Sequence, residues 1–169
     1  MNDSSTFVVR KLIEADNEQY RALWWYAITE HSQFFRIAPE DESTKFIPTR
    51  LADDSFTVGA FLDGRLVGIV SVERDSKKKM NHKALVFRMF VHPDAAGMGL
   101  GRQLLKEAIR GMVSINSIRY LYLTVLATNE RAVHLYSSLG FKEFARESGA
   151  VCINGEYVDE LQMALTIQR

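Results

Sequence analysis

The stretch HPDAAGMGLGRQLL, residues 92–105, sets three glycines at alternate positions, Gly97, Gly99 and Gly101, directly before an apolar run with helical character. Just upstream, ALVFRMFV (84–91) is rich in β-formers, so strand, glycines and helix follow in that order. A helix N-terminus leaves backbone N–H groups unpaired and carries partial positive charge, which suits a phosphate, and glycines let that backbone come close. Two phosphate motifs fail on spacing. A Walker loop needs Gly-Lys and then Ser or Thr, but Gly101 is followed by Arg102 and Gln103. A dinucleotide fingerprint needs its last glycine three positions after its second, and those positions hold Arg102 or Leu104. Alone, the glycines read equally well as a helix cap after a flexible loop or as an anion site.

Outward from this stretch the chain alternates between short β patterns and helical ones. FVVRKLI (7–13) reads as a strand, and Asp16, with Gln19 three residues on, resembles a capping box for a helix carrying Tyr20, Leu23, Trp24, Ala27 and Ile28. A second short helix is expected between Pro39 and Leu51, interrupted at Pro48. FTVGAFLDGRLVGIVSV (56–72) is a hairpin about Asp63-Gly64, a pairing suited to a tight turn with positive dihedrals. Downstream, YLYLTVL (120–126) is a strand, NERAVHLYSSL (129–139) a helix ended by Gly140, and FKEFAR and EYVDELQMAL two final strands. No repeat or linker interrupts the pattern, which predicts one α/β domain over residues 1–169.

Composition narrows the function classes. The 169 residues hold 21 Lys+Arg against 21 Asp+Glu, so no global field favours nucleic acid or anionic lipid. A hydrophobic share of 47% with 25% charged residues is that of an ordinary globular chain. There is no leader-like apolar segment and no run long enough for a bilayer, which predicts a cytoplasmic protein without membrane partners. Cys152 is the only cysteine; it excludes an internal disulfide or thiolate-cluster metal site and reads as a small buried apolar residue. No metal is expected.

The glycine stretch and NERAVHLYSSLGF together resemble the GNAT superfamily of acyl-CoA-dependent N-acetyltransferases. Val91-His92-Pro93 matches the family's V-x-P strand ending, and Ala96-Gly97-Met98-Gly99-Leu100-Gly101 the frame Q/R-x-x-G-x-G/A. Asn129, Ala132, Tyr136, Gly140 and Phe141 match the later N-x-x-A-x-x-x-Y and G-F. The resemblance implies an α/β (α+β) fold: a mixed, mostly antiparallel sheet flanked by helices and splayed between its fourth and fifth strands. It also implies acetyl-CoA as co-substrate, its pyrophosphate on the amides of residues 96–101 and its pantetheine along the backbone of Phe90 and Val91. Ala96 stands where the family usually carries Gln or Arg, and Arg102 is the candidate replacement, its other reading being a solvated first-turn side chain.

By the same resemblance Tyr136 is the general acid for the departing thiolate and Asn129 a pantetheine ligand. Residue by residue, Tyr136 also reads as a core aromatic with Ala132, Leu135 and Leu139, and Asn129 as a helix N-cap. Where some family members carry a glutamate on the fourth strand, this chain has Leu85. Glu73 is then the leading carboxylate for a general base, otherwise a solvated strand-end charge, with His82, His134 and Glu160 behind it.

The implied reaction moves acetyl to a primary amine by direct attack in a ternary complex, with a small-molecule acceptor. The alternatives are a protein N-terminus or lysine as acceptor, or a module that binds acyl-CoA without turnover. Trp24, Trp25, Tyr26, Phe34 and Phe35 crowd the segment where acceptor specificity is expected, as core packing or as an aromatic wall able to hold a cation. Glu30, Asp41 and Glu42 lie nearby, and Lys77–Lys79 read as a solvated loop. A monomer or homodimer fits equally.

Overall fold

The computed structural model describes residues 7–43 and 46–168. One seven-stranded sheet runs in the order β1-β2-β3-β4-β5-β7-β6, from β1 (Phe7–Lys11), β2 (Ser55–Leu62), β3 (Arg65–Arg74), β4 (Lys83–Val91), β5 (Tyr120–Leu126), β6 (Lys142–Ile153) and β7 (Glu156–Thr166). Neighbours are antiparallel except β4 and β5, which are parallel. The β2–β3 turn has positive φ at both Asp63 (49°) and Gly64 (82°), as the sequence predicts.

Helices cover both faces where the sheet is most apolar. α1 (Asn17–Glu30) lays Tyr20, Leu23, Trp24, Ala27 and Ile28 against Phe61, Leu66 and Ile69. α2 (Leu100–Val113) buries Leu100, Leu104, Leu105, Ala108 and Met112 in a separate, larger cluster with Val58, Val70, Val72, Val86 and Leu121. α3 (Glu130–Ser138) joins that second cluster through Tyr136. Leu66–Val72 of β3 is buried on both faces, which is why its sequence is continuously apolar instead of alternating.

Several local expectations change. Asp16 does cap α1 by position, but its carboxylate turns back to Arg10 (2.7 and 2.9 Å) and to the Ile13 N–H (2.8 Å), and Arg10 holds it below the usual carboxylate range. Gln19 forms no capping box with it. Its amide reaches the β2–β3 turn, accepting from Leu66 N (2.8 Å) and donating to Gly64 O (3.3 Å).

No helix spans 39–51 among the described residues; Pro39–Asp41 is a single 3-10 turn, and residues 44 and 45 of that expectation lie outside them. Pro48 breaks helical pairing there, while the Ile47 N–H is taken by Asn17 Oδ1 at 2.8 Å, which ties the segment to the start of α1. β6 is twice as long as FKEFAR: its exposed and half-buried residues 147–153 continue the ladder with β7 as an edge hairpin closed at Asn154-Gly155. Cys152 is on this edge and exposed, not buried. Among the described residues no helix is long and apolar enough to cross a membrane.

Candidate active site

The functional geometry starts where β4 and β5 part. They pair only at Lys83–Tyr120, Ala84–Leu121 and Leu85–Tyr122, after which β4 stays with β3 and β5 with β7. A bulge bends β4 at this point. Ile69 pairs with Phe90 and Ser71 with Phe87, leaving Arg88 and Met89 opposite the single Val70, with Arg88 at a left-handed φ of 51°. Beyond it the His92 N–H bonds Val67 O at 2.7 Å on the β3 side. Strand backbone groups alternate in direction, so those of Val91 turn the other way, into the gap. The gap opens into a cleft of about 850 Å³, whose walls include Phe90, Val91, the glycine loop, α3 and the segment after α1.

The three glycines have two different causes. Gly97 (φ 78°) and Gly99 (φ 74°, the N-cap of α2) occupy left-handed backbone beside open space: an added Cβ would meet nothing within 4 Å. Gly101 instead makes room for α3, since a Cβ there would lie 3.2 Å from Leu135 Cδ2. Gly97, Gly99 and Gly101 all line the cleft with Ala96, Leu100 and Arg102; the exposed Met98 does not. The Arg102 guanidinium donates to Ser138 Oγ at 2.7 Å, which bridges the first turn of α2 to the end of α3. Leu100, though at the cleft, is a core residue.

Across the gap, Asn129 Oδ1 caps α3 by accepting from Ala132 N at 3.2 Å. Tyr136 joins both of its readings: its ring is in the core, edge-on to Phe141, while it lines the cleft. Its hydroxyl donates to Met89 Sδ at 3.6 Å on the bulge, and burial pushes its pKa up to about 12.

The bulge carries a cluster that no sequence spacing announced. Arg88 lies 4.8 Å over the Trp24 ring, with one nitrogen 3.0 Å from Glu42 Oε2 and another 3.2 Å from the Tyr20 hydroxyl. Trp24 Nε1 donates to the same Glu42 oxygen at 2.6 Å. Glu42 is therefore committed to holding Arg88, and the two tie the segment after α1 to the strained turn of β4. Burial takes Tyr20 to about 12 as well, against the pull of Arg88. The aromatic segment divides: Trp24 is core, Trp25 is exposed, Tyr26 stacks on His92 (4.6 Å), and Phe34 and Phe35 face the cleft. His31, absent from the sequence-derived candidates, lines the cleft beside them.

Other candidates stand apart. Glu73 is at the closed end of the β4–β5 junction, outside the cleft lining, bonded to Ser55 Oγ (3.0 Å) and Arg50 Nε (3.4 Å). Leu85 pairs with Glu73 across β3–β4 and shares that end. His82 packs edge-on to Tyr120, and the buried Glu160 meets Arg36 at 3.3 Å. His134 lines the cleft on α3, and Lys77–Lys79 are exposed in a turn.

This geometry has close counterparts. The description "Acetyltransferase (GNAT) family" matches residues 11–141. The chain belongs to the GNAT acetyltransferase family. An acetyltransferase of the GNAT family from Streptococcus pneumoniae superposes with a TM-score of 0.85 at 25% identity, over 96% of this chain and all of that one. Among curated GNAT relatives, the spermidine N(1)-acetyltransferase of Vibrio cholerae is 33% identical over 82 residues, 48% of this chain and 47% of that protein. The [ribosomal protein bS18]-alanine N-acetyltransferase of Salmonella typhimurium is 37% identical over 90 residues, 50% of this chain and 57% of that protein. The chain thus spans about half the length of these relatives.

Proposed function

We propose that the chain, acting as one catalytic domain in the cytoplasm, transfers an acetyl group from acetyl-CoA to the primary amine of a small molecule by direct attack in a ternary complex. One observation carries the reading: the glycine-opened N-terminus of α2 and Tyr136 line the same cleft, which also takes in the end of β4 beyond its last pair with β5. Those residues suit an anionic coenzyme. The first-turn N–H groups of the 14-residue α2 have no intrahelical acceptor, and left-handed Gly97 and Gly99 leave the space before them open. Arg102 adds a cation at the same end.

In this reading acetyl-CoA supplies the activated thioester. The Val91 backbone, turned into the gap, hydrogen-bonds the pantetheine and donates to the carbonyl oxygen as charge develops on it. Asn129 caps α3 with its side-chain oxygen and keeps its amide NH2 for the pantetheine. The Tyr136 phenol, held protonated by burial, gives its proton to the departing sulfur. Glu73 has no place in the scheme.

A protein N-terminus is the second reading, favoured by the likeness to the bS18-alanine enzyme. Turnover of an alanyl peptide with no free amine accepted decides for it.

The first test is a calorimetric titration with acetyl-CoA of the parent and of Gly99→Asp. Aspartate tolerates left-handed backbone better than most residues, and its Cβ meets open space, so the cost to folding is held to the backbone strain, about 1–2 kcal/mol. Its carboxylate then occupies the pyrophosphate cradle, and affinity is expected to fall about 100-fold, roughly 2.7 kcal/mol. A parent that does not bind, or equal affinity in the variant, removes the reading.

A further inference from the structure

The transfer needs a base at the acceptor nitrogen, and the cleft supplies few. Among the described residues of its lining the only carboxylate is Glu130, exposed on the first turn of α3, and the only imidazoles are His31 and His134. His134 precedes Tyr136 by two helical positions, about 200° around α3, and so points away from it. His31 is placed differently. It closes α1 as its C-cap, its backbone N–H on Ala27 O (3.0 Å), and its half-buried ring packs on Tyr26 (5.5 Å) and on Phe90 (5.4 Å). Phe90 adjoins Val91, whose backbone faces the gap, so the imidazole stands against the part of β4 where the acetyl carbonyl is held. Among the described residues neither ring nitrogen has a hydrogen-bond partner, which leaves both to the acceptor.

We propose that His31 is the general base of the transfer, taking the proton from the acceptor nitrogen directly or through one water. The proposal rests on the function proposed above. The neutral amine attacks the acetyl carbonyl carbon and the C–N bond forms. The proton leaving nitrogen goes to the His31 imidazole, the C–S bond breaks with its electron pair on sulfur, and sulfur takes the Tyr136 proton. The histidinium then releases its proton to water, and the tyrosinate regains one from it. Besides Glu130 and His134, the surrounding elements carry Tyr26 and Glu30 on α1, Arg36 after it, Arg88 on β4, His92 just past its end, and Tyr136 on α3. Of these, Arg88 is engaged by Glu42 and Arg36 by Glu160.

The test uses the whole chain with acetyl-CoA and whichever of spermidine, 2-phenylethylamine and an alanyl peptide the parent acetylates, measuring kcat/KM against pH. His31→Phe keeps a ring on Tyr26 and Phe90 but removes both nitrogens. Its kcat/KM is expected to fall about 10²- to 10⁴-fold, the acid limb of its pH profile to vanish, and acetyl-CoA affinity to stay within about twofold. In His31→Ala, free imidazole in solution restores part of the rate, which a packing role does not predict. A His31→Phe enzyme within about threefold of the parent, or one that keeps the acid limb, overturns this inference and leaves the proposed function standing. A parent that binds acetyl-CoA and acetylates none of the amines removes both.

Discussion

On the function proposed above, Tyr136 serves packing and chemistry with one side chain. Its ring is buried against Phe141, while its hydroxyl donates to the Met89 sulfur and the residue lines the cleft. Tyr136→Phe keeps the ring and removes only the proton donor. The expected result is a kcat lower by about 10²- to 10⁴-fold with acetyl-CoA affinity unchanged, read by steady-state kinetics beside calorimetry; unchanged turnover takes Tyr136 out of the mechanism. With the folded phenol raised to about 12, its contribution to stability is complete below the ordinary tyrosine value near 10 and is lost as pH rises through about 12. Alkaline unfolding of the Phe variant is therefore less steep in that window. That Tyr136, Asn129 and the glycines come to one cleft was legible because each sits in a fixed local spacing. Arg88 and His31 were not. The left-handed turn of Arg88 exists only once β3 pairs across the bulge, and His31 becomes a cleft residue only when α1 docks beside Phe90. Glu73 fails for the complementary reason: nearness to the fourth strand in sequence does not say toward which end of it a side chain lies.

Among the elements, α2 carries a tight packing constraint. Gly111 lies in its last turn, where alanine is favoured over glycine by about 1 kcal/mol on helix propensity alone. Packing opposes the substitution: an added Cβ would sit 2.5 Å from Cζ and 3.1 Å from Cε1 of Phe56, a ring 1% exposed in the middle of the core. Overpacking of a closed core costs about 1–3 kcal/mol, more than the propensity gain. Gly111→Ala is expected to lower the unfolding free energy by up to about 2 kcal/mol, the difference of the two effects, and denaturant titration checks it; a stabilised variant means the Phe56 ring yields freely. Strand and helix positions were readable from period because their faces are buried. The segment after α1 was misread because its shape is set by long-range anchors, Asn17 to Ile47 and Glu42 to Arg88, that leave no periodic trace. The far half of β6 was missed since it is held by ladder bonds at an exposed edge, not by an apolar face.

Across the whole molecule, the sheet is joined at its middle by only three residue pairs between β4 and β5, with the cleft on the open side of that junction. On the function proposed above, a coenzyme lying there would hydrogen-bond β4 at Val91, the N-terminus of α2, and α3 on the far side. It therefore couples the two halves of the sheet, and binding to the folded state alone adds RT ln(1 + [L]/Kd) to stability. At acetyl-CoA 100 times its Kd this is about 2.7 kcal/mol, which for a chain of this size raises the melting temperature by about 5–10 °C. Hydrogen exchange should slow together at the open ends of β4 and β5, although they share no ladder bonds there. Gly99→Asp is expected to melt about 2–8 °C below the parent without ligand, from its left-handed backbone, and to lose the ligand-induced shift. A shift retained in that variant, or protection confined to β4, means the ligand does not span the parted strands.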